Sequence, residues 1–225
     1  GGQRLNRELI GRHHEYSIGV HAYDAAALAA RVMELDAMYD PNVVAVQLNL
    51  LGSHDTPRLR SVLGDDLAAV RLATLLQMTL PGAPCVYYGD EIGLRGGNDP
   101  ECRGAFPWND AHWDGSLRDT VRALIQLRRS EAALRDGPVR IAAADGHAIA
   151  IERGAGEARF VVAANAGEAP ATVRVTLADD PGAGPANALV PVDLPGLVAP
   201  TAAAIVGAVA TVELPERSGT IFRVS

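Results

Sequence analysis

Two apolar runs that each end in a polar cluster, with a helical stretch between them, constrain this chain more than any other feature. The first covers residues 43–51 and opens into Gly52-Ser53-His54-Asp55-Thr56-Pro57-Arg58. The second, residues 85–88, opens into Gly89-Asp90-Glu91 and a glycine-rich loop. Between them, residues 65–80 carry Val70, Leu72, Leu75, Leu76 and Leu80 in a helical apolar pattern. Continuous apolar runs with β-branched residues suit strands buried on both faces, as in a parallel sheet. Strand, helix, strand in this order makes a βαβ unit, which is parallel and right-handed. The carboxyl ends of such strands are where folds of this kind hold their active-site groups. Taken alone, the imidazole and carboxylate of His54-Asp55 also fit a turn, or a cap on the following helix.

Two longer stretches narrow the reading. Asn49-Leu50-Leu51-Gly52-Ser53-His54-Asp55-Thr56-Pro57-Arg58 is one. Pro81-Gly82-Ala83-Pro84-Cys85 through Gly89-Asp90-Glu91-Ile92-Gly93 is the other, followed by Gly96-Gly97-Asn98-Asp99-Pro100-Glu101-Cys102-Arg103. Together they resemble the α-amylase family of retaining α-glucan hydrolases, in particular its neopullulanase, cyclomaltodextrinase and maltogenic amylase branch. The likeness is close from Tyr23 to Trp108 and loose elsewhere. It implies that the two runs are strands seven and eight of a (β/α)8 barrel.

Bulk properties agree with a soluble globular chain. Hydrophobic residues make up 48% and charged residues 21%, which excludes a disordered polymer. A net charge of −7 disfavours nucleic acid and anionic membranes as partners, since both select basic patches. Cys85 and Cys102 make no disulfide scaffold; strand geometry holds them roughly 13 Å or more apart unless the loop folds back, so free thiols are expected. Gly1-Gly2-Gln3-Arg4 has no apolar targeting region, and a cytoplasmic location is expected. The most apolar tract, residues 197–212, is interrupted by Pro200 and falls short of a membrane span.

Along the chain, His13-His14 lacks a third ligand at metal spacing and reads as solvated or hydrogen-bonded histidines. Residues 24–38 form an amphipathic helix capped by Asp24, with Ala27, Leu28, Val32 and Leu35 on one face. Residues 95–114 make a long loop with Trp108 and Trp113, a length uncommon unless functional; Trp108 serves either as a sugar-stacking surface or as packing on the rim. Residues 116–135 are the next helix. From Asp136-Gly137-Pro138 onward the periodicity turns β-like, with runs over 148–152, 158–164, 171–177, 188–192 and 219–224, a spacing that suggests an antiparallel β-sandwich. The division expected is α/β followed by all-β: residues 1–135 as part of a barrel, and residues 136–225 as a sandwich able to close its own core.

A whole barrel needs about 250 residues, so the expectation is that only helix six through helix eight are present. Retaining glycoside hydrolysis uses a nucleophilic carboxylate and an acid/base carboxyl group about 5 Å apart. By resemblance these belong to strands four and five, and neither motif occurs in the sequence. What the resemblance implies here is the third acidic residue, Asp55, as a transition-state stabiliser, with His54 holding the same sugar. Asp99 and Arg103 match residues that bind glucose units further towards the non-reducing end; their other reading is a mutual salt bridge that orders the loop. Where the family often continues with a second polar or basic residue, Gly104-Ala105 follows Arg103. Glu91 matches a structural element, not the acid/base. The implied partners are α-glucan oligosaccharides, cyclodextrins or pullulan, cut at α-1,4 and in some members α-1,6 bonds. No cofactor is implied, and any calcium site would lie in barrel parts absent from the sequence. Oligomeric state is left open. Alternative readings are a non-catalytic sugar-binding or assembly fragment, or a truncated product without function.

Overall fold

The computed structural model describes residues 23–182 and 186–225; His13-His14 lies outside the described residues. Aspartate side chains start the principal helices. Asp24 accepts from Ala27 N at 2.7 Å and opens α1 (Ala25–Met38). Asp40 accepts from Asn42 N at 2.9 Å and opens α2 (Pro41–Val46). After the short α3 (Leu59–Val62), Asp66 accepts from Ala68 N and Ala69 N to open α4 (Leu67–Thr79). Asp114 accepts from Leu117 N at 2.8 Å to open α5 (Gly115–Ser130), and α6 (Ala132–Arg135) follows after a break at Glu131. A carboxylate in this position satisfies orphan amides and meets the positive end of the helix dipole.

Strands β1 (Leu48–Leu50) and β2 (Ala83–Cys85) pair in parallel, Leu48 opposite Ala83 and Leu50 opposite Cys85. The α4 helix runs between them in sequence. Its Gln77, buried, donates to Asn49 O at 2.8 Å and to Cys85 O at 3.0 Å, tying both strands to the helix. The first strand is shorter than its apolar run of residues 43–51 suggests. Pro41 has the φ of a first helical turn and Asp40 caps it, so residues 41–46 coil despite their β-branched side chains. Nor is the strand buried on both faces: Leu48 and Leu50 are exposed, because the parallel sheet has two strands among the described residues. The second strand likewise begins and ends earlier than residues 85–88, and Pro84 inside it lacks the N–H that a further neighbour would need.

From Val139 onward the chain is antiparallel. Strands β3 (Val139–Asp145), β4 (Ala148–Ala155), β5 (Ala158–Asn165), β6 (Ala171–Thr176), β7 (Ala188–Pro191), β8 (Ala203–Val206), β9 (Val209–Leu214) and β10 (Ser218–Val224) join in the order β3-β4-β5-β10-β7-β8-β9-β6. The two ends of the sheet meet where Arg140 on β3 donates to Thr176 O on β6. Between them lies an apolar interior built from Val161, Ala163, Val173, Val175, Leu189, Val212 and Phe222. Glu152, buried, joins the layers by accepting from Arg140 at 2.6 Å, Arg159 at 3.3 Å and Ala178 N at 3.0 Å.

The opposite face of the same sheet packs on the helices. Leu72, Leu75 and Met78 of α4, Leu124 of α5 and Leu134 of α6 share one core with Ile149, Ile151, Phe160, Val162 and Ile221. Helix and sheet approach closely at Gly219 of β10, where a Cβ would stand 2.4 Å from Leu75 Cδ2 and 2.8 Å from Leu72 Cδ1. The change of pattern at Asp136 is therefore a change of secondary structure and not of core. The sheet encloses one apolar interior, and its second apolar face depends on the helices.

Two buried guanidinium groups seal this joint. Arg128 donates to Met78 O at 2.8 Å, Leu80 O at 3.1 Å and Gly82 O, at the end of α4. Arg153 reaches in from β4 to Thr79 O and Gly137 O. Replacing Arg153 by methionine keeps length but removes the donors to the buried Thr79 carbonyl and the part-buried Gly137 and Pro138 carbonyls, at about 1–3 kcal/mol for a buried one and less for the others. We expect urea unfolding to stay a single transition while stability falls by about 3 kcal/mol; a loss under about 1 kcal/mol would show that the joint does not depend on it.

Candidate active site

The site lies on the segments that leave the carboxyl ends of β1 and β2. After β1 the chain makes a tight turn in which Ser53 N donates to Thr56 Oγ1 at 3.0 Å and Asp55 N to Ser53 Oγ at 3.2 Å. The turn projects His54 and Asp55 outward, their side chains 67% and 61% exposed. The segment after β2 runs through 3-10 turns at Asp90–Ile92 and Glu101–Arg103 before folding back over that turn.

All four residues singled out in the sequence meet here. His54 Nε2 lies 3.1 Å from Asp55 Oδ2. Arg103 Nη2 is 3.0 Å from Asp99 Oδ2 and 3.9 Å from Asp55 Oδ1, and its Nε donates to His54 O at 3.0 Å. The ion pair that the Asp99–Arg103 spacing allowed is thus formed, and the same guanidinium also faces Asp55. The arrangement is a shallow, accessible set of two carboxylates, one imidazole and one planar cation, a donor and acceptor pattern suited to hydroxyl-rich ligands.

Beneath it is a buried layer that residue type alone did not disclose. Arg58 is fully buried; its Nη1 donates to Tyr88 O and, at 3.2 Å, to Asp90 Oδ1. Its guanidinium lies 4.1 Å from the Tyr87 ring centre and 4.5 Å from that of Tyr88. Two aromatic faces stabilise the cation where Nε and Nη2 have no hydrogen-bond partner among the described residues. Tyr88 in turn donates its hydroxyl to Gly104 O at 2.8 Å. Arg58 thus links the loop after β1 to the loop after β2. The signal for it was its place at the end of His-Asp-Thr-Pro-Arg; nothing in residue type announced the two tyrosines or Asp90 as its partners. Trp108 is 86% exposed with its ring 4.9 Å from Phe106, whereas Trp113 packs inward and donates Nε1 to Pro107 O at 2.6 Å. Cys85 and Cys102 are free thiols. Among the described residues no three His, Cys, Asp or Glu side chains are grouped to hold a metal ion, and no helix is long and apolar enough to cross a membrane.

The description "Alpha amylase, catalytic domain" matches residues 12–135. The chain belongs to the α-amylase family. Within that family it is 48% identical over 121 residues to a cyclomaltodextrinase of Geobacillus thermopakistaniensis, covering 54% of this chain and 21% of that protein. It is 45% identical over 97 residues to a maltogenic α-amylase of Bacillus acidopullulyticus, covering 43% of this chain and 17% of that protein. Among solved structures, the native debranching enzyme of Nostoc punctiforme superposes with a TM-score of 0.83 at 36% identity, over 99% of this chain and 44% of that one. The chain therefore spans about a fifth of the length of these two curated relatives and under half of the solved structure. The α-amylase-family match ends at residue 135, just before the antiparallel sheet begins, while the structural likeness continues through it.

The buried layer makes a pH-dependent prediction. Burial pushes the Asp90 carboxyl up to about 6, while Arg58 pulls it down without overcoming the burial. Between pH 4 and 6 the native state therefore holds a proton at Asp90 that the unfolded chain has released. By linkage its contribution to stability is present below about pH 4 and is lost as pH rises through 6. The stability difference between the unaltered chain and Asp90→Asn should fall by roughly 2–3 kcal/mol from pH 4 to pH 7. Urea titrations at the two pH values check this; a difference that rises with pH would mean that the Arg58 attraction outweighs burial.

Proposed function

We propose that this chain carries the strand-seven and strand-eight side of the active site of an α-glucan hydrolase acting by a retaining mechanism. In this reading β1 and β2 are the last two strands of a (β/α)8 barrel formed with residues 1–135, and residues 136–225 are a β-sandwich domain behind it. The observation that carries the proposal is the exposed Asp55 carboxylate at the end of β1, with His54 3.1 Å away on one side and Arg103, itself paired to Asp99, on the other.

Asp55 is not placed for proton transfer in this mechanism. A fixed carboxylate beside the sugar at the cleavage point favours the ring as positive charge develops on it, and hydrogen bonds to its hydroxyls help hold the distorted ring. His54 presents an imidazole to the same sugar. Asp99 and Arg103 extend the polar surface towards further glucose units, where a planar guanidinium contacts neighbouring hydroxyls at fixed geometry. The nucleophile and the acid/base come from barrel strands outside these 225 residues. The relatives named cyclomaltodextrinase, maltogenic α-amylase and debranching enzyme support cyclomaltodextrins and other α-glucans as substrates, and the α-1,4 and α-1,6 linkages are what the family resemblance implies.

Two measurements test this. The purified chain releases no reducing sugar from cyclodextrin, pullulan or starch; release that Asp55→Ala abolishes would overturn the proposed division of the site. In a chimera in which residues 12–135 replace the matching segment of the Geobacillus cyclomaltodextrinase, Asp55→Asn lowers kcat by about 100-fold and leaves KM within about threefold, as expected for an interaction made in the transition state. Unchanged turnover would reduce Asp55 to a turn residue.

A further inference from the structure

The turn that carries Asp55 is bonded mainly to itself, through Ser53 and Thr56. Both of its outward side chains are exposed and do not fix its position. Besides the exposed Arg103–Asp55 pair at 3.9 Å, what ties its apex to the loop after β2 is one hydrogen-bond acceptor, the carbonyl oxygen of His54. Two donors converge on it from adjacent residues: Arg103 Nε at 3.0 Å and Cys102 Sγ at 3.2 Å. A carbonyl has two lone pairs and can take both.

The two donors are not equivalent. Arg103 is half exposed and its guanidinium is also engaged by Asp99, so water and a bound sugar compete for it. Cys102 is fully buried, so its end of the hydrogen bond is screened from water and sugar while the acceptor side is only part-buried. The loop is built to bring the sulfur there. Gly96 lies so close to the turn at residues 101–103 that a Cβ would stand 2.5 Å from Glu101 O and 3.1 Å from Cys102 Cα. Gly96 O also accepts from Arg58 N at 3.0 Å, which closes the loop against the segment just after Asp55. A buried cysteine usually acts as a small apolar filler; here its sulfur points at a polar atom of the site.

We infer that Cys102 is a positioning residue: its thiol holds the His54 carbonyl and so fixes where the Asp55 carboxylate stands. The inference rests on the proposed role of Asp55 for its catalytic consequence, but the positioning itself is measurable without catalysis.

The test compares Cys102→Ala, which removes the donor, with Cys102→Ser, which restores one in similar space. In the 225-residue chain, NMR amide exchange at Asp55 should quicken about tenfold in the alanine variant and stay within about threefold of the original in the serine variant. In the chimera described above, Cys102→Ala should lower kcat about five- to tenfold with KM within twofold, and Cys102→Ser should recover most of the loss. Should the alanine variant not fold, Cys102→Val fills the space without a donor and takes its place. Equal exchange in all variants would overturn the inference. So would equal impairment of the serine and alanine variants with equally lowered Tm, which would mark a packing role. Faster exchange at Asp55 together with no kinetic effect of either Cys102→Ala or Asp55→Asn would leave the positioning intact and sink the catalytic reading instead.

Discussion

The carboxyl end of α4 holds the molecule together. A helix ends with carbonyl groups that lack intrahelical donors and with the negative pole of its dipole. Here that end is buried, and Arg128 and Arg153 supply what water would supply at a surface. The burial is electrostatically uphill. Desolvation lowers both guanidinium pKa values, and for Arg153 burial together with the nearby positive charge of Arg128 brings it down to about 10. Both remain cationic at neutral pH, stabilised by carbonyl dipoles, with the Asp136 carboxylate a lesser influence on each. Because Arg128 also reaches Gly82 O, immediately before β2, the same interaction sets where the second parallel strand begins. Because Arg153 belongs to β4, it sets where the antiparallel sheet meets the helices. The loops bearing Asp55 and Asp99 inherit their positions from that joint.

The polar surface and the buried layer beneath it divide the work of the site. In the proposed function the exposed groups, His54, Asp55, Asp99 and Arg103, exchange water for ligand hydroxyls. Arg58 and Asp90 are shielded, Tyr87 is half-buried and Tyr88 stands at the surface, and together they keep the two loops in register. A cation between aromatic rings suits this second task, since the rings exclude water and the charge still finds Tyr88 O and Asp90.

Much of this was legible in the sequence. Helices α1, α4 and α5 follow from apolar spacing with an aspartate ahead of it, and five of the eight antiparallel strands follow from their alternating or β-branched runs. That His54, Asp55, Asp99 and Arg103 come together was legible because they sit in two contiguous stretches at strand ends. What escaped has physical reasons. The run at residues 41–46 has β-branched composition, but Asp40 and Pro41 nucleate a helix there, and a cap outweighs a weak strand preference. Strands β8 and β9 hid inside an apolar tract whose reversal uses Gly207 and Ala208, both at positive φ, and alanine is not a residue that signals such a turn. Cys102, Arg58 and Arg153 act on backbone carbonyls, and a carbonyl has no residue type to recognise. Trp108 and Trp113 look alike in sequence, yet one faces solvent and the other packs inward.

The close seat of α4 on Gly219 has a bearing on how such a chain is made. Leu72 and Leu75 precede the sheet in the chain, and their seat is complete only when β10, the last of its described strands, has been added. Contacts this distant in sequence form late, because a long loop must close before they stabilise anything. Until the antiparallel sheet has been made, the face of α4 that carries Leu72 and Leu75 lacks its partner strands.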